Sequence, residues 1–160
     1  MSREDFEITT QGEDFYMQLS QDKEPNMDHA NAFYKLMSED VNSERKRIGG
    51  DFAVAQAVPF RSLRDVIRKV LGSDLVFVLL VLEKETVADR LAKRHGEGDG
   101  AQAMTDICLK LNDSYETKGE NEPKTFDVLI SKDMCPEDIA KKVLDTIKSW
   151  FWLLKFGIAL

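Results

Sequence analysis

Three features of this sequence predict an α/β protein, a three-layer sandwich in which helices cover both faces of a parallel sheet. Short apolar runs at residues 52–58, 75–82 and 126–130 read as strands. The run LVFVLLVL at 75–82 is apolar on both faces, as a parallel strand covered by helices requires. Helical periodicity fills the intervals between the runs, and strands alternating with helices imply crossover connections. A length of 160 residues suits one domain with a real core.

The elements follow in chain order. Residues 1–24 carry seven acids against two bases and read as a loosely ordered head, with a short edge-strand alternation at Phe6 and Ile8. Asp28 is placed to cap a helix whose apolar face holds Phe33, Leu36, Met37, Val41 and Ile48. Gly49-Gly50 closes it, because glycine takes the left-handed conformation that ends helices. The strand at 52–58 stops at Pro59, which has no amide to give a sheet. Leu63, Val66, Ile67, Val70 and Leu71 then mark an amphipathic helix ending at Gly72.

The strand at 75–82 is followed by a helix over 84–94 and a glycine-rich turn, HGEGDG. Met104, Ile107, Cys108, Leu111 and Tyr115 give another helix by their 3-and-4 spacing. After the strand at 126–130, Pro136 sits where a first helical turn tolerates proline. Ile139, Val143, Leu144 and Ile147 form the buried stripe of that last helix. The division expected is an acidic head (1–27), an α/β domain (28–148) and an apolar tail (149–160).

Bulk composition excludes several functions. A formal charge of −7 argues against nucleic-acid binding, which needs a basic face to displace counterions. The start, Met1-Ser2-Arg3-Glu4-Asp5, shows no cationic, then apolar, leader, and two cysteines make no disulfide framework, so a cytoplasmic setting is expected. The tail WFWLLKFGIAL would span only about 16 Å as a helix, against roughly 30 Å of bilayer core. It reads as a packed end or as a surface for a protein partner. His29 and His95 lie near helix ends, Cys108 sits on an apolar stripe and Cys135 precedes a helix start. They share no metal-ligand spacing, and no metal site is expected.

The residues suited to chemistry are arginines. Arg61, Arg64, Asp65 and Arg68 follow the first strand, while Arg90 and Arg94 share a helix face after the second. Ligands of open parallel sheets collect beyond the carboxyl ends of the strands. Guanidinium forks match phosphate oxygens there, and they neutralise charge on a transferring phosphoryl group. For any single arginine, a solvated helix face paired with Asp65, Asp89 or Glu85 is the plainer account. The recurrence of two sets at equivalent positions favours a small phosphate-bearing ligand.

Arg61-Ser62-Leu63-Arg64-Asp65-Val66-Ile67-Arg68 resembles the Arg-x-x-Arg-Asp-x-x-Arg segment after the third strand of gluconokinases. Val76-Phe77-Val78 through Arg90-Leu91-Ala92-Lys93-Arg94-His95-Gly96 is similar to their next strand and lid. Residues 126–147 resemble their final strand and helix. Pro59 and Arg61 look like the Pro-Arg substrate loop of adenylate kinases, relatives on the same P-loop fold. The resemblance spans roughly residues 33–147. It implies a P-loop NTPase-like sandwich without its first strands, and ATP with Mg2+ as cofactors for phosphorylating a small hydroxyl- or phosphate-bearing metabolite. By the same resemblance Arg61, Arg64, Asp65 and Arg68 bind substrate, and Arg90 and Arg94 belong to a catalytic lid.

One motif of the family is missing. None of the nine glycines precedes a lysine, so the sequence holds no Gly-x-x-x-x-Gly-Lys-Ser/Thr loop. Without it there are no loop amides to cradle phosphates, no lysine for the transferring group and no hydroxyl for magnesium. The chain therefore reads as a truncated or degenerate gluconokinase-like kinase with little or no activity. The alternatives are a non-catalytic interaction or regulatory module, and a loop supplied by another chain or by a preceding segment.

Overall fold

The computed structural model describes residues 25–50, 53–95 and 99–155, and Asn26 opens the first helix among them. Its side chain accepts hydrogen bonds from the N–H groups of Asp28 and His29, at 3.1 and 3.2 Å. The cap is thus Asn26 rather than Asp28. Asp28 lies inside the first turn, where a negative charge favours the exposed N–H groups. This helix, α1 (Met27–Ile48), ends at Gly49 with φ of 76°, and the Gly49 N–H bonds the Arg45 carbonyl. Arg45, Lys46 and Arg47 occupy its last turn, so this basic cluster complements the helix dipole.

The chain divides into two compact units, Met1–Leu75 with Gln102–Glu116, and Val76–Ala101 with Thr117–Leu160. In the first unit α1 packs against α2 (Arg61–Leu71). The buried seam of α1 is Ala30, Tyr34 and Ser38, four residues apart, while the predicted face of Phe33, Leu36, Met37 and Val41 is only half-buried. Ile48 is exposed. Polar groups reach the seam because each has a partner: Ser38 donates to the Tyr34 carbonyl, and the Tyr34 hydroxyl donates to the Ala57 carbonyl. From α2, Leu63, Arg64 and Ile67 are buried, and Gly72 (φ 84°) closes the helix.

The predicted strand at 52–58 does not form. Phe52 lies outside the described residues, and residues 53–57 are exposed coil. Three of those five are alanines, which are poor strand formers with little surface to bury. Val58 and Pro59 are buried, and side chains hold this stretch in place of a ladder. α4 (Asp99–Ser114) enters this unit at Gln102. Ile107, Cys108 and Leu111 are half-buried, so Cys108 is not a core residue, and Met104 and Tyr115 are exposed.

The second unit holds two parallel strands, β1 (Phe77–Leu82) and β2 (Thr125–Ile130), in register from Phe77 opposite Thr125 to Leu82 opposite Ile130. Between them in the chain come α3 (Lys84–His95) and α4. Among the described residues the fold is mixed α/β, with five helices and this two-stranded parallel sheet. Two of the three predicted strands are present. The expected glycine-rich turn is shortened, since Asp99 and Gly100 already belong to α4 and residues 96–98 lie outside the described residues. The proposed edge strand at Phe6 and Ile8 also lies outside them.

After β2, α5 (Pro136–Lys155) begins at Pro136, with Glu137 and Asp138 in its first turn. Ile139, Val143 and Ile147 are half-buried, but Leu144 is exposed, which corrects its place in the buried stripe. The helix runs through Trp150, whose ring meets Phe126 edge-on at 6.0 Å. Phe151 and Trp152 are exposed. No helix among the described residues is long and apolar enough to cross a membrane.

Candidate functional site

Arg64 is the most enclosed of the predicted site residues. On α2 it follows Leu63 and stands three before Ile67, and like them it is buried, with no exposed surface. There its guanidinium donates to the carbonyls of Val58 (3.3 Å) and Glu116 (3.2 Å). A permanent charge tolerates burial only when its donors are matched, and carbonyl dipoles match them here. The fork faces backbone, not solvent.

Glu116 ties this cluster together, and nothing in its polar surroundings marks it in the sequence. Its N–H donates to the Pro59 carbonyl (2.8 Å), its own carbonyl receives Arg64, and its carboxylate accepts the Arg61 N–H at 2.6 Å. Phe60, the residue before α2, supplies no side-chain cap, so the Glu116 carboxylate takes that role from a distant part of the chain. Asp65 and Arg68 form an ion pair along α2 at 2.9 Å. The four residues expected to bind substrate, Arg61, Arg64, Asp65 and Arg68, therefore all fall on α2 of the first unit.

Arg90 and Arg94 belong to α3 of the second unit. Arg90 donates to the carbonyls of Ser131 (3.4 Å) and Met134 (3.1 Å), in the loop that leaves the carboxyl end of β2. Its donors fasten that loop to α3. Arg94 lies one turn further on and is exposed.

A groove of about 740 Å³ along α5 had no signal in the sequence. Phe126, Met134 and Trp150 form its apolar part, and Lys141, Lys142 and Asp145 its charged part. Lys141 pairs with Asp145 at 2.8 Å, which raises the lysine above its ordinary value and lowers the aspartate. Lys142 donates to the Leu129 carbonyl at 2.7 Å. At the start of α5 the carboxyl of Glu137 is lowered, first by its own backbone N–H and then by the Cys135 thiol. Both groove lysines thus have acceptors within the protein.

Among the described residues no three His, Cys, Asp or Glu side chains gather as a metal site would need. The buried guanidinium of Arg64 meets two backbone carbonyls, and the sequence has no Gly-x-x-x-x-Gly-Lys-Ser/Thr loop. Comparison with known proteins finds no matching family model, no similar curated protein and no similar solved structure.

Proposed function

We propose that this chain is a gluconokinase-like scaffold without phosphoryl transfer of its own, its arginine segments serving as architecture. The observation that carries this reading is the engagement of Arg64 and Arg90, each of which bridges two backbone carbonyls. Donors held this way are not directed at a transferring phosphoryl group, and the sequence offers no loop amides or lysine to replace them. The parallel β1–β2 pair with helices between its strands agrees with the family's architecture.

The test is a coupled assay of the full chain with ATP, magnesium and either gluconate or a nucleoside monophosphate. Loss of a single charge-stabilising donor costs about 10²–10³ in rate, and here a whole loop is missing. Turnover is expected to equal the blank. Turnover that persists through purification and vanishes in Arg94→Ala contradicts the proposal.

The second reading, a non-catalytic interaction module, is favoured by a separate observation. Leu80, Leu129, Leu144, Phe151 and Trp152 are each half or more exposed, within the second unit alone. Leu80 and Leu129 lie on opposite faces of the sheet and, as scattered apolar side chains, need no explanation, but Phe151 and Trp152, adjacent near the end of α5, suit a contact with another protein.

A further inference from the structure

The phase of the β1–β2 ladder decides which backbone groups of β1 are committed. In a parallel pair, residues whose N–H and C=O point to the partner alternate with residues whose groups point away. The Phe77 N–H bonds the Lys124 carbonyl at 2.9 Å. Phe77, Leu79 and Val81 therefore face β2, while Val78, Leu80 and Leu82 face outward. By the same register Thr125, Asp127 and Leu129 point to the outer side of β2.

The two outer edges are treated differently. On β2 the Leu129 carbonyl is taken by Lys142 Nζ, and the charged side chain of Asp127 accepts the Lys118 N–H. Charges and lysines on a sheet edge discourage further strands from adding. On β1 no backbone group of the described residues bonds Val78, Leu80 or Leu82. Nor does any charged residue, proline or glycine interrupt residues 75–82. The Leu80 side chain is 50% exposed. A two-stranded sheet is marginal on its own, and an uncharged apolar edge is a template for another strand.

We propose that the outer edge of β1 pairs with the same edge of a second copy of this chain, antiparallel about a two-fold axis. The pairing would make a four-stranded sheet in the order β2, β1, β1, β2. An identical partner is favoured by charge. The run itself is neutral, so two acidic chains meet there without repulsion. Centring the pairing on Leu79 sets Val78 opposite Leu80 of the copy, so the outward N–H and C=O groups of one strand meet those of the other. Because Lys142 guards the outer edge of β2, assembly stops at two. A six-residue edge buries less than the roughly 800 Å² per partner of a standard interface, so the dimer is weak and concentration-dependent.

Sedimentation velocity on the full chain, from low micromolar to submillimolar concentration, tests this. The mass is expected to rise from 18.2 kDa toward twice that value. Leu80→Lys, at an exposed side chain, should weaken association by at least about tenfold, or about 1.4 kcal/mol. Leu80→Pro removes an outward N–H that the β1–β2 ladder does not use, so it should also give a folded monomer by circular dichroism. A parent that stays monomeric throughout overturns the proposal. So does association that survives both variants but is lost in Trp152→Ser, which would move the contact to α5. Species that keep growing beyond the dimer also overturn it.

Discussion

Residues 53–60 are coil and β1 is a strand, and the backbone of each is held by different means. In the first, carbonyls of Ala57, Val58 and Pro59 are met by a tyrosine hydroxyl, a buried guanidinium and a loop N–H. In β1 the inward groups meet a strand, and the apolar side chains carry the packing. Backbone outside helices thus needs acceptors and donors nearby, but not necessarily a sheet. Where side chains supply them, stability is concentrated in a few polar residues. Where a ladder supplies them, it is spread over the apolar faces, and half of the backbone groups on an end strand remain available.

The sharpest way to break the first arrangement is Arg64→Ala. It removes two charge-assisted hydrogen bonds, each worth about 1.5–3 kcal/mol, and leaves a void at a fully buried position. A loss of about 4 kcal/mol is expected, read as a lower urea midpoint. A loss below about 1 kcal/mol would mean that the guanidinium does not hold this segment. In the second unit Ile130→Ala empties a fully buried site on β2, and about 3 kcal/mol should go. Tyr34→Phe deletes only the hydroxyl that meets Ala57, so about 1 kcal/mol is expected. Leu129→Ser, next to Ile130 but 53% exposed, should change stability by less than about 0.5 kcal/mol.

The smallest effect concerns the Lys141–Asp145 pair on α5. Asp145 is lowered by Lys141, so its contribution is present above the unfolded carboxyl value and fades as pH falls through the folded one. Lys141 is raised by Asp145, so its contribution is complete below the unfolded lysine value and fades as pH climbs through the folded one. Both groups are exposed, and Asp145→Asn should leave the melting temperature at pH 7 indistinguishable from the parent's. A clear drop would show that the groove wall depends on this pair.

The same contrast explains what the sequence made legible. Helix periodicity located the five helices of the described residues, and β1 and β2 were readable because large and β-branched residues fill them. The run at 52–58 is also apolar, but three of its seven residues are alanine, and an apolar pattern alone does not distinguish side chains that pack from side chains too small to matter. Apolar patterning also misses partnered polar residues, so the Tyr34–Ser38 seam, the burial of Arg64 and the cap from Glu116 went unseen. The partners of Arg90, the carbonyls of Ser131 and Met134, carry no side-chain signature either. Whether an arginine serves a ligand or the backbone depends on contacts about 40 or more residues away, as the separations of Arg64 from Glu116 and Arg90 from Ser131 illustrate.

The most direct measurement of the contrast is residue-resolved amide hydrogen exchange across β1 at several protein concentrations. At the lowest concentration the amides of Phe77, Leu79 and Val81 should be protected by β2, while those of Val78, Leu80 and Leu82 exchange rapidly. Raising the concentration should bring protection to the second set and leave the first set unchanged. Six amides that exchange alike at the lowest concentration, or an outward set whose rates ignore concentration, would contradict the account.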